Sequence, residues 1–473
     1  MSTFSSLNAA TTALWAQRRA LDVTGQNIAN VNTEGYSRQR VDLQAIGGSV
    51  VPAFYSTSPG IGAGVSAEEV TRIRDAFLEG RGHTEHANSA RLLVEADTLE
   101  QVQTAFREPG DTGIQSLLSE MWDGWEDVAN QPDTDAARAQ VIQRMETLVG
   151  GIQFSNASLD AQWDQTRENL GVLVDDVNAA AKTVAELNKA IRVANQAGLP
   201  ANDLSDKRDV LVMKLADQVG ATIRPGQYGS VDVVVGGMSL VSGSSASRLA
   251  VGVTAPDPIT GVTKTRIVTE AGDYPVAADG TAGGQLSALN TIIPGFRDQL
   301  DGIAADLVGT LNLQHSKGWD RNGDPGGAVL SGTTAATISV VITDTRKIAA
   351  SSVGVAQPLP PAPPLTPVPS LDNGNADVIS QLRQDASGTD AKYRKMIVEL
   401  GVQAAVSIRN QGIQAVISTQ VDAARESVAG VNIDEEMTNM LSFQHAYSAA
   451  SRMVTAIDQT LDTLINHTGL VGR

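Results

Sequence analysis

The chain has 473 residues, a net charge of −18 and no cysteine. Disulfides, zinc–thiolate centres and a cysteine nucleophile are therefore excluded, and nucleic acid or an anionic membrane, which need basic surface, are poor general partners. Aromatic residues make up only 4% of the chain, which favours long helices packed through Ala, Val and Leu over an aromatic-lined ligand pocket.

At the start, residues 1–14 lack the basic region and apolar run of a secretory leader, and no stretch of the chain is long and apolar enough to span a membrane. Ser5 to Asn30 read as a helix carrying Leu7, Leu14, Leu21 and Ile28 at a strict interval of seven, which is half of a heptad seam. The companion positions Thr11, Arg18 and Gly25 are small or polar. The helix is weak by itself and needs a partner. Asn30 to Tyr36 form a polar, Gly-containing break, and residues 37–65, with Pro52, Pro59, Gly60, Gly62 and Gly64, read as an extended linker.

From Ser66 to Gly198 the pattern is helix after helix. The first carries Leu92, Ala96, Leu99 and Phe106 and stops at Pro109-Gly110. A second carries Ile114, Leu117, Met121, Trp122, Trp125 and Val128, and a third runs from about Asp135 to Asn195. That length suggests a coiled-coil-like rod. A shorter helix with Leu211, Leu215 and Val219 follows. Its opening charge run, Asp203 to Arg208, is most simply a helix start with a solvated face.

Between Ala221 and Asp279 the period changes to alternation, in Val231-Asp232-Val233-Val234-Val235 and again at Thr265 to Thr269; this predicts a small antiparallel β insertion. Helix returns at Phe296, Leu300, Ile303, Leu307 and Leu311, and Thr337 to Thr343 is one more candidate strand. Gln357 to Ser370 holds seven of eighteen prolines and reads as a polyproline-like connector. Helices are expected over Ala376 to Asp385 and Ala391 to Ala429.

The last helix, from about Asn432 to Asn466, has the strongest periodicity. Met440, Phe443, Tyr447, Ala450, Val454, Ile457, Leu461 and Leu464 are spaced 3, 4, 3, 4, 3, 4, 3, an unbroken heptad seam. Asn432 supplies a cap, Asp434, Glu435 and Glu436 sit at the positive helix end, and Gly469 supplies a stop. The Leu7, Leu14, Leu21 and Ile28 helix is its natural partner. The pair alone is marginal, because backbone ordering costs as much as two narrow seams can return; both termini are expected to be poorly ordered in a monomer and helical among neighbouring copies.

Chemistry is hard to find. His83 and His86 share a helical face with Glu85 between them, but no third ligand is evident and a solvated helix face is the simpler reading. Asp320-Arg321-Asn322-Gly323-Asp324 opens like a calcium loop, yet Pro325 and Ser331 stand where glycine and glutamate are needed. A tight turn is expected there. No dinucleotide, Walker A or nucleophile-elbow pattern occurs, and the prolines at 358, 361, 364 and 367 fit a spacer better than an SH3 ligand. No catalytic, cofactor or metal residue is assigned, and an enzyme is not expected.

Two sets of residues resemble a known family. Ser6-Leu7-Asn8, Asn27-Ile28-Ala29-Asn30 and Thr33-Glu34-Gly35-Tyr36-Ser37-Arg38-Gln39 are similar to the N-terminal signature of the bacterial flagellar axial proteins. Asn432-Ile433-Asp434-Glu435-Glu436-Met437, Phe443-Gln444-His445-Ala446-Tyr447 and Asp462-Thr463-Leu464-Ile465-Asn466 resemble the hook-associated protein 1 family within that group. The interior runs Leu204 to Leu211 and Leu311 to Gly323 resemble it as well. Between Gly332 and Thr343 about ten residues stand where that family carries an outer β domain.

The resemblance implies a structural subunit of the flagellum at the junction between hook and filament, lying outside the cell and secreted without a cleaved signal peptide. It implies a homo-oligomer in a helical tube, with hook protein below, hook-associated protein 3 above, and passage through the flagellar type III export apparatus with an export chaperone. A hook or distal-rod axial subunit is the alternative, and an enzyme with axial-type termini a further one. Assembly is expected to depend on Leu7, Leu14, Leu21, Ile28, Met440, Phe443, Tyr447, Val454, Ile457, Leu461 and Leu464; Asn30, Gly35, Tyr36, Asp434, Glu435 and Glu436 carry the family motif. The expected fold is mainly α with a small β insertion: paired N- and C-terminal coiled-coil helices, an elongated helical inner domain, an antiparallel β segment and a Pro-rich connector, the outer β domain being reduced or absent. By residue this gives 1–35 with 430–473, then 36–220 with 281–330 and 371–429, an insertion at 221–280 and a short outer segment at 331–370.

Overall fold

The computed structural model describes residues 3–47, 63–256, 261–354 and 371–467. The Pro-rich connector and the Gly469 stop lie outside the described residues. In chain order the elements are α1 (Thr3–Ala29), β1 (Gln39–Ile46), β2 (Gly64–Arg72), α2 (Ala76–Phe106), α3 (Ile114–Asn130), α4 (Asp135–Gln196) and α5 (Asn202–Val219). There follow β3 (Thr222–Pro225), β4 (Val231–Val235), β5 (Met238–Ser242), β6 (Ser245–Ala246), β7 (Leu249–Val253), β8 (Thr265–Thr269) and β9 (Pro275–Val276). The chain ends with α6 (Gly280–Ser287), α7 (Ile293–His315), β10 (Leu330–Ser331), β11 (Ser339–Val340), α8 (Gly374–Gln381), α9 (Thr389–Ala429) and α10 (Ile433–Asp462). Among the described residues the architecture is mainly helical with four small antiparallel sheets.

Two compact units divide the chain. The first comprises Met1–Ala87, Val177–Arg248 and Ala415–Arg473; the second comprises Asn88–Asp176 and Leu249–Gln414. The second unit holds a continuous apolar core. In α3, Ile114, Leu118, Met121, Trp122, Trp125 and Val128 recur at helical spacing and are all buried, with Val141, Met145, Leu148 and Ile152 of α4, Phe296, Leu300, Ile303 and Leu307 of α7, and Tyr393 and Leu400 of α9. Inside it the Trp122 indole donates to Asp390 Oδ2 at 2.6 Å. Burial pushes the Asp390 carboxyl above its ordinary range, while the Trp122 and Gln115 donors pull it back.

The strands depart from the expected plan in two ways. Residues 221–280 do not make one insertion: β3–β4–β5–β6 form a meander in the first unit, whereas β7–β8–β9 form a separate sheet in the second. Each sheet is fastened by an asparagine amide acting as an extra backbone partner. Asn188 of α4 donates to Val231 O at 2.7 Å and accepts from Val231 N at 3.1 Å. Asn290 does the same for Thr265, at 2.8 Å in both directions. These side chains lie on helices distant in sequence, so local alternation could not separate the two sheets.

The second departure is at 37–65, expected as an extended linker. Its described ends are strands: β1 pairs antiparallel with β2 from Gln39 opposite Arg72 to Ile46 opposite Gly64, with a register shift between Asp42 and Gln44. The residues from Ser66 to Arg72, expected as helix, complete β2. The strand runs close against α1. A Cβ on Gly64 (φ +122) would fall 2.1 Å from Thr12 Oγ1 and 3.2 Å from Ala9 Cα, so only glycine fits.

Candidate functional site

The first unit brings both chain ends to one place. At the foot of α10 the Asn432 side chain accepts from the N–H groups of Asp434 (2.9 Å) and Glu435 (3.3 Å), capping the helix. One turn on, Glu436 is the single buried residue of α10. A buried carboxylate requires partners. Arg38 contacts Glu436 Oε1 through Nε at 2.8 Å and through its terminal nitrogen at 2.7 Å, and it reaches Glu435 at 2.8 Å.

The other Glu436 oxygen accepts from Asn27 Nδ2 at 3.0 Å. Asn27 is 1% exposed, and its amide is fully used. Its nitrogen also donates to Gln39 O at 2.9 Å, while its oxygen accepts from Gln39 N at 3.0 Å and from the Tyr36 hydroxyl at 2.8 Å. This network fixes which way the amide points. One polar joint therefore ties α1, the turn after it, β1 and α10 together. Burial, with Asp206, Asp203 and Glu436 nearby, pushes the Tyr36 phenol up to about 12.

The remaining motif residues lie around this joint. Asn30 folds back on the last turn of α1, donating to Gln26 O at 2.9 Å, and accepts from the Thr33 hydroxyl at 3.2 Å. Gly35 has φ +76, and a Cβ there would sit 2.2 Å from Val210 Cγ2 of α5. Neither demand tolerates a side chain. Asp434 and Glu435 are exposed in the first turn of α10, where negative charge suits the helix end.

Beneath the joint lies an ionic cluster. Arg72 of β2 bonds Asp206 (2.9 Å) and Asp209 (2.8 Å) of α5, and Arg74 bonds both Asp209 and Glu79 of α2. Glu79 in turn takes Arg425 of α9 at 2.9 Å. Burial opposes the charge on Asp209, yet Arg208, Arg74 and Arg72 around it hold its carboxyl below the usual range. The charge run Asp203 to Arg208, expected as a solvated helix face, is thus partly interior: Asp206 is 7% and Arg208 4% exposed. The cations that bury it come from β2 and the segment after it, too distant in sequence to be read as partners.

The two histidines of α2 are not on a solvated face either. His83 is buried, and burial lowers its pKa. His86 sits between two helices, with Nδ1 3.1 Å from Asp217 of α5 and Nε2 2.9 Å from Asp422 of α9. Only the imidazolium can donate at both nitrogens, and the Asp217 hydrogen bond, opposed by burial and reinforced by Asp422, raises its pKa. A folded pKa above the unfolded one stabilises fully below about pH 6.5, and that stability is lost as pH rises through the folded value. His86→Gln is therefore expected to cost about 1 kcal/mol at pH 5.5 and almost nothing at pH 9, given the half-exposed carboxylates. Paired urea titrations of the two proteins check this; a difference independent of pH would count against the clamp. His83 and His315, both held low, slope the other way in each protein and cancel in the difference.

The expected assembly residues occupy the two terminal helices, which pack along one another. Leu7, Leu14, Leu21 and Ile28 on α1, and Met440, Phe443, Tyr447, Val454, Ile457 and Leu461 on α10 or the turn that ends it, are half-buried, and Leu464 is exposed. Among the described residues the buried side chains of α1 are instead Ala10, Ala16, Ala20, Val23, Thr24 and Asn27. Sequence reading passed over these small residues. The signal was present in the shared spacing of Ala16, Ala20, Val23 and Asn27, at three to four residues. Among the described residues no cluster of three or more His, Asp or Glu could hold a metal ion, and the Asp320 loop is a turn in which Asp320 Oδ1 accepts from the N–H groups of Asn322 and Asp324 at 2.8 and 2.9 Å.

Comparison with known proteins gives the joint a context. A family described as flagellar hook-associated protein FlgK helical domain matches residues 99–330, and the Flagellar hook-associated protein 1 of Bacillus subtilis is 29% identical over the whole of both chains. The chain is similar to the flagellar hook-associated protein 1 family from end to end. The Escherichia coli Flagellar hook-associated protein 1 is 24% identical over 97% of this chain and 99% of its own. A solved structure, the flagellar hook junction protein FlgK from Burkholderia pseudomallei, aligns with a TM-score of 0.63 at 16% identity, over 74% of this chain and 100% of that one. The helical ends match two further families, flagella basal body rod protein at residues 7–36 and the flagellar basal body rod FlgEFG C-terminal at residues 425–467. Of the joint, Asn27 and Tyr36 lie within the first of these matched ends and Glu435 and Glu436 within the second, while Arg38 stands two residues beyond the first.

Proposed function

We propose that this chain is the structural subunit that joins hook to filament in the bacterial flagellum, a building block and not an enzyme. Its working parts are the paired terminal segments 1–35 and 430–473, which act as a coiled-coil domain, carried by a helical inner domain of 36–220, 281–330 and 371–429. The chain leaves the cell through the flagellar type III apparatus, escorted by a chaperone. It then assembles with copies of itself into a short helical tube, with hook protein below and hook-associated protein 3 above. The observation that carries this reading is the family match at both ends and through the interior, with the two ends meeting at the Glu436 joint. Half-buried seams add to it: they gain further burial when neighbouring copies arrive.

The rod-type matches at residues 7–36 and 425–467 favour a second reading, a hook or distal-rod subunit. Gene deletion separates the two. Complete hooks with flagellin shed into the medium are expected; cells lacking the hook itself would give the second reading preference. A point substitution tests the seam more sharply. Leu461→Asp places a charge where Leu461 is only half-buried in the single chain, so the purified protein should keep its melting midpoint. In the tube the same charge faces apolar neighbours, costing several kcal/mol. Incorporation at hook tips, counted by immunogold labelling, is expected to fail; normal incorporation would remove the seam from the assembly mechanism.

A further inference from the structure

Two helix faces in the second unit are uncovered and opposite in charge. On α9, Lys395, Val398, Val402, Val406, Arg409 and Ile413 are all exposed, Val398 by 66% and Val402 by 58%. At about 100° per residue they fall within an arc of about 80°. An aliphatic stripe of this length facing water marks an interaction surface. Its two cations form no ion pair among the described residues, and the nearest acid on its flank, Glu399, is hydrogen-bonded by Gln403 at 3.0 Å.

On α4, Asp164, Glu168, Val172 and Asp175 are likewise exposed and fall within an arc of about 80°. Val172 is 65% exposed. The three carboxylates have no cation opposite them among the described residues, since Arg167 turns aside to lie 5.7 Å over the Trp163 ring. The acidic face is as unfinished as the basic one.

We propose that the basic, apolar face of α9 on one copy of this chain seats against the acidic face of α4 on a second copy. Charge selects the occupant: a chain of net charge −18 carries few basic apolar faces, and its own α4 offers the complement. The dimensions agree. Lys395 and Arg409 stand about 21 Å apart along their helix and Asp164 and Asp175 about 17 Å along theirs, at about 1.5 Å per residue, so long side chains let both cations reach carboxylates while Val172 meets the valine stripe. The contact uses different patches on the two copies. It therefore does not close on a pair but propagates from copy to copy, as a ring or helix requires. Each face is only a few side chains on one helix, against the roughly 20–30 residues a side of a stable free-standing interface. The chain thus stays single in dilute solution, and the contact forms once other contacts hold copies side by side. This inference rests on the reading that the chain assembles with copies of itself.

The test uses the full chain in its native bacterium with the chromosomal copy removed. K395E/R409E and D164K/E168K/D175K each place like charges face to face, and each is expected to lower the subunit recovered at hook tips about tenfold or more. Combining the five substitutions reverses both faces, restores complementarity and is expected to return recovery to within about threefold of the unaltered chain. Recovery of K395E/R409E at the unaltered level, or no rescue in the combination, overturns the proposal. Should a reversal lower the melting midpoint of the purified chain, V402C with V172C in an otherwise unaltered chain decides, because the chain has no other cysteine. Disulfide-linked copies in isolated hooks support the contact, and monomers alone overturn it. Absence of the unaltered chain from hook tips would instead defeat the assembly reading itself.

Discussion

Glu436→Ala is expected to loosen both termini at once, at a cost of about 3–5 kcal/mol, because it leaves the Arg38 guanidinium and the Asn27 amide inside the joint without their shared acceptor. Neighbouring Glu435→Ala is expected to cost less than about 1 kcal/mol, since that carboxylate is 59% exposed and its pair with Arg38 is screened. Two adjacent glutamates thus differ severalfold for one reason, burial. Hydrogen exchange of the α1 and α10 amides is the direct measurement: the Glu436 variant should lose protection in both helices, whereas the second unit keeps it. Equal effects of the two substitutions would mean that the joint is held by surface charge alone. A double-mutant cycle with Arg38→Ala should recover a coupling of about 1–3 kcal/mol for Glu436.

Trp122 is the matching point in the second unit. Trp122→Ala is expected to destabilise that unit by about 3–5 kcal/mol, the usual range for emptying a core aromatic site, and to strand the Asp390 carboxylate that the indole bonds. Trp122→Phe keeps most of the volume and removes only the donor. Its expected cost is about 1–3 kcal/mol. Urea unfolding followed by helix circular dichroism checks both, and a phenylalanine variant as stable as the parent would show that the 2.6 Å bond contributes nothing net.

The helices were legible in the sequence because periodicity and punctuation are local. The third predicted helix, Asp135 to Asn195, is α4 to within a residue, and the helix before it ends near Pro132, where the chain can no longer donate a backbone hydrogen bond. Asn432 was readable as a cap for the same reason: its partners are its own next residues. What was not legible depended on distant partners. The alternation in Gln39 to Ile46 identifies a strand only when Gly64 to Arg72 is there to pair with it. The acids Asp206 and Asp209 look like solvent-facing charge until Arg72 and Arg74 are brought against them. His86 likewise has no role on its own helix; Asp217 and Asp422 give it one.

The terminal helices show the division clearly. Sequence by itself determined that α1 and α10 exist and that each carries apolar side chains at heptad spacing, because hydrophobic spacing along one helix needs no knowledge of the rest of the chain. Tertiary structure decided what fastens them. The buried residues of α1 are alanines, a valine, a threonine and Asn27 rather than its leucines, because β2 and α10 approach so closely that only small or fully hydrogen-bonded side chains fit between them. Glu436 differs from Glu435 for the same cause. One helix position turns it into the joint, where burial in a low-dielectric setting makes its contacts with Arg38 and Asn27 count, and no rule of local sequence carries that information.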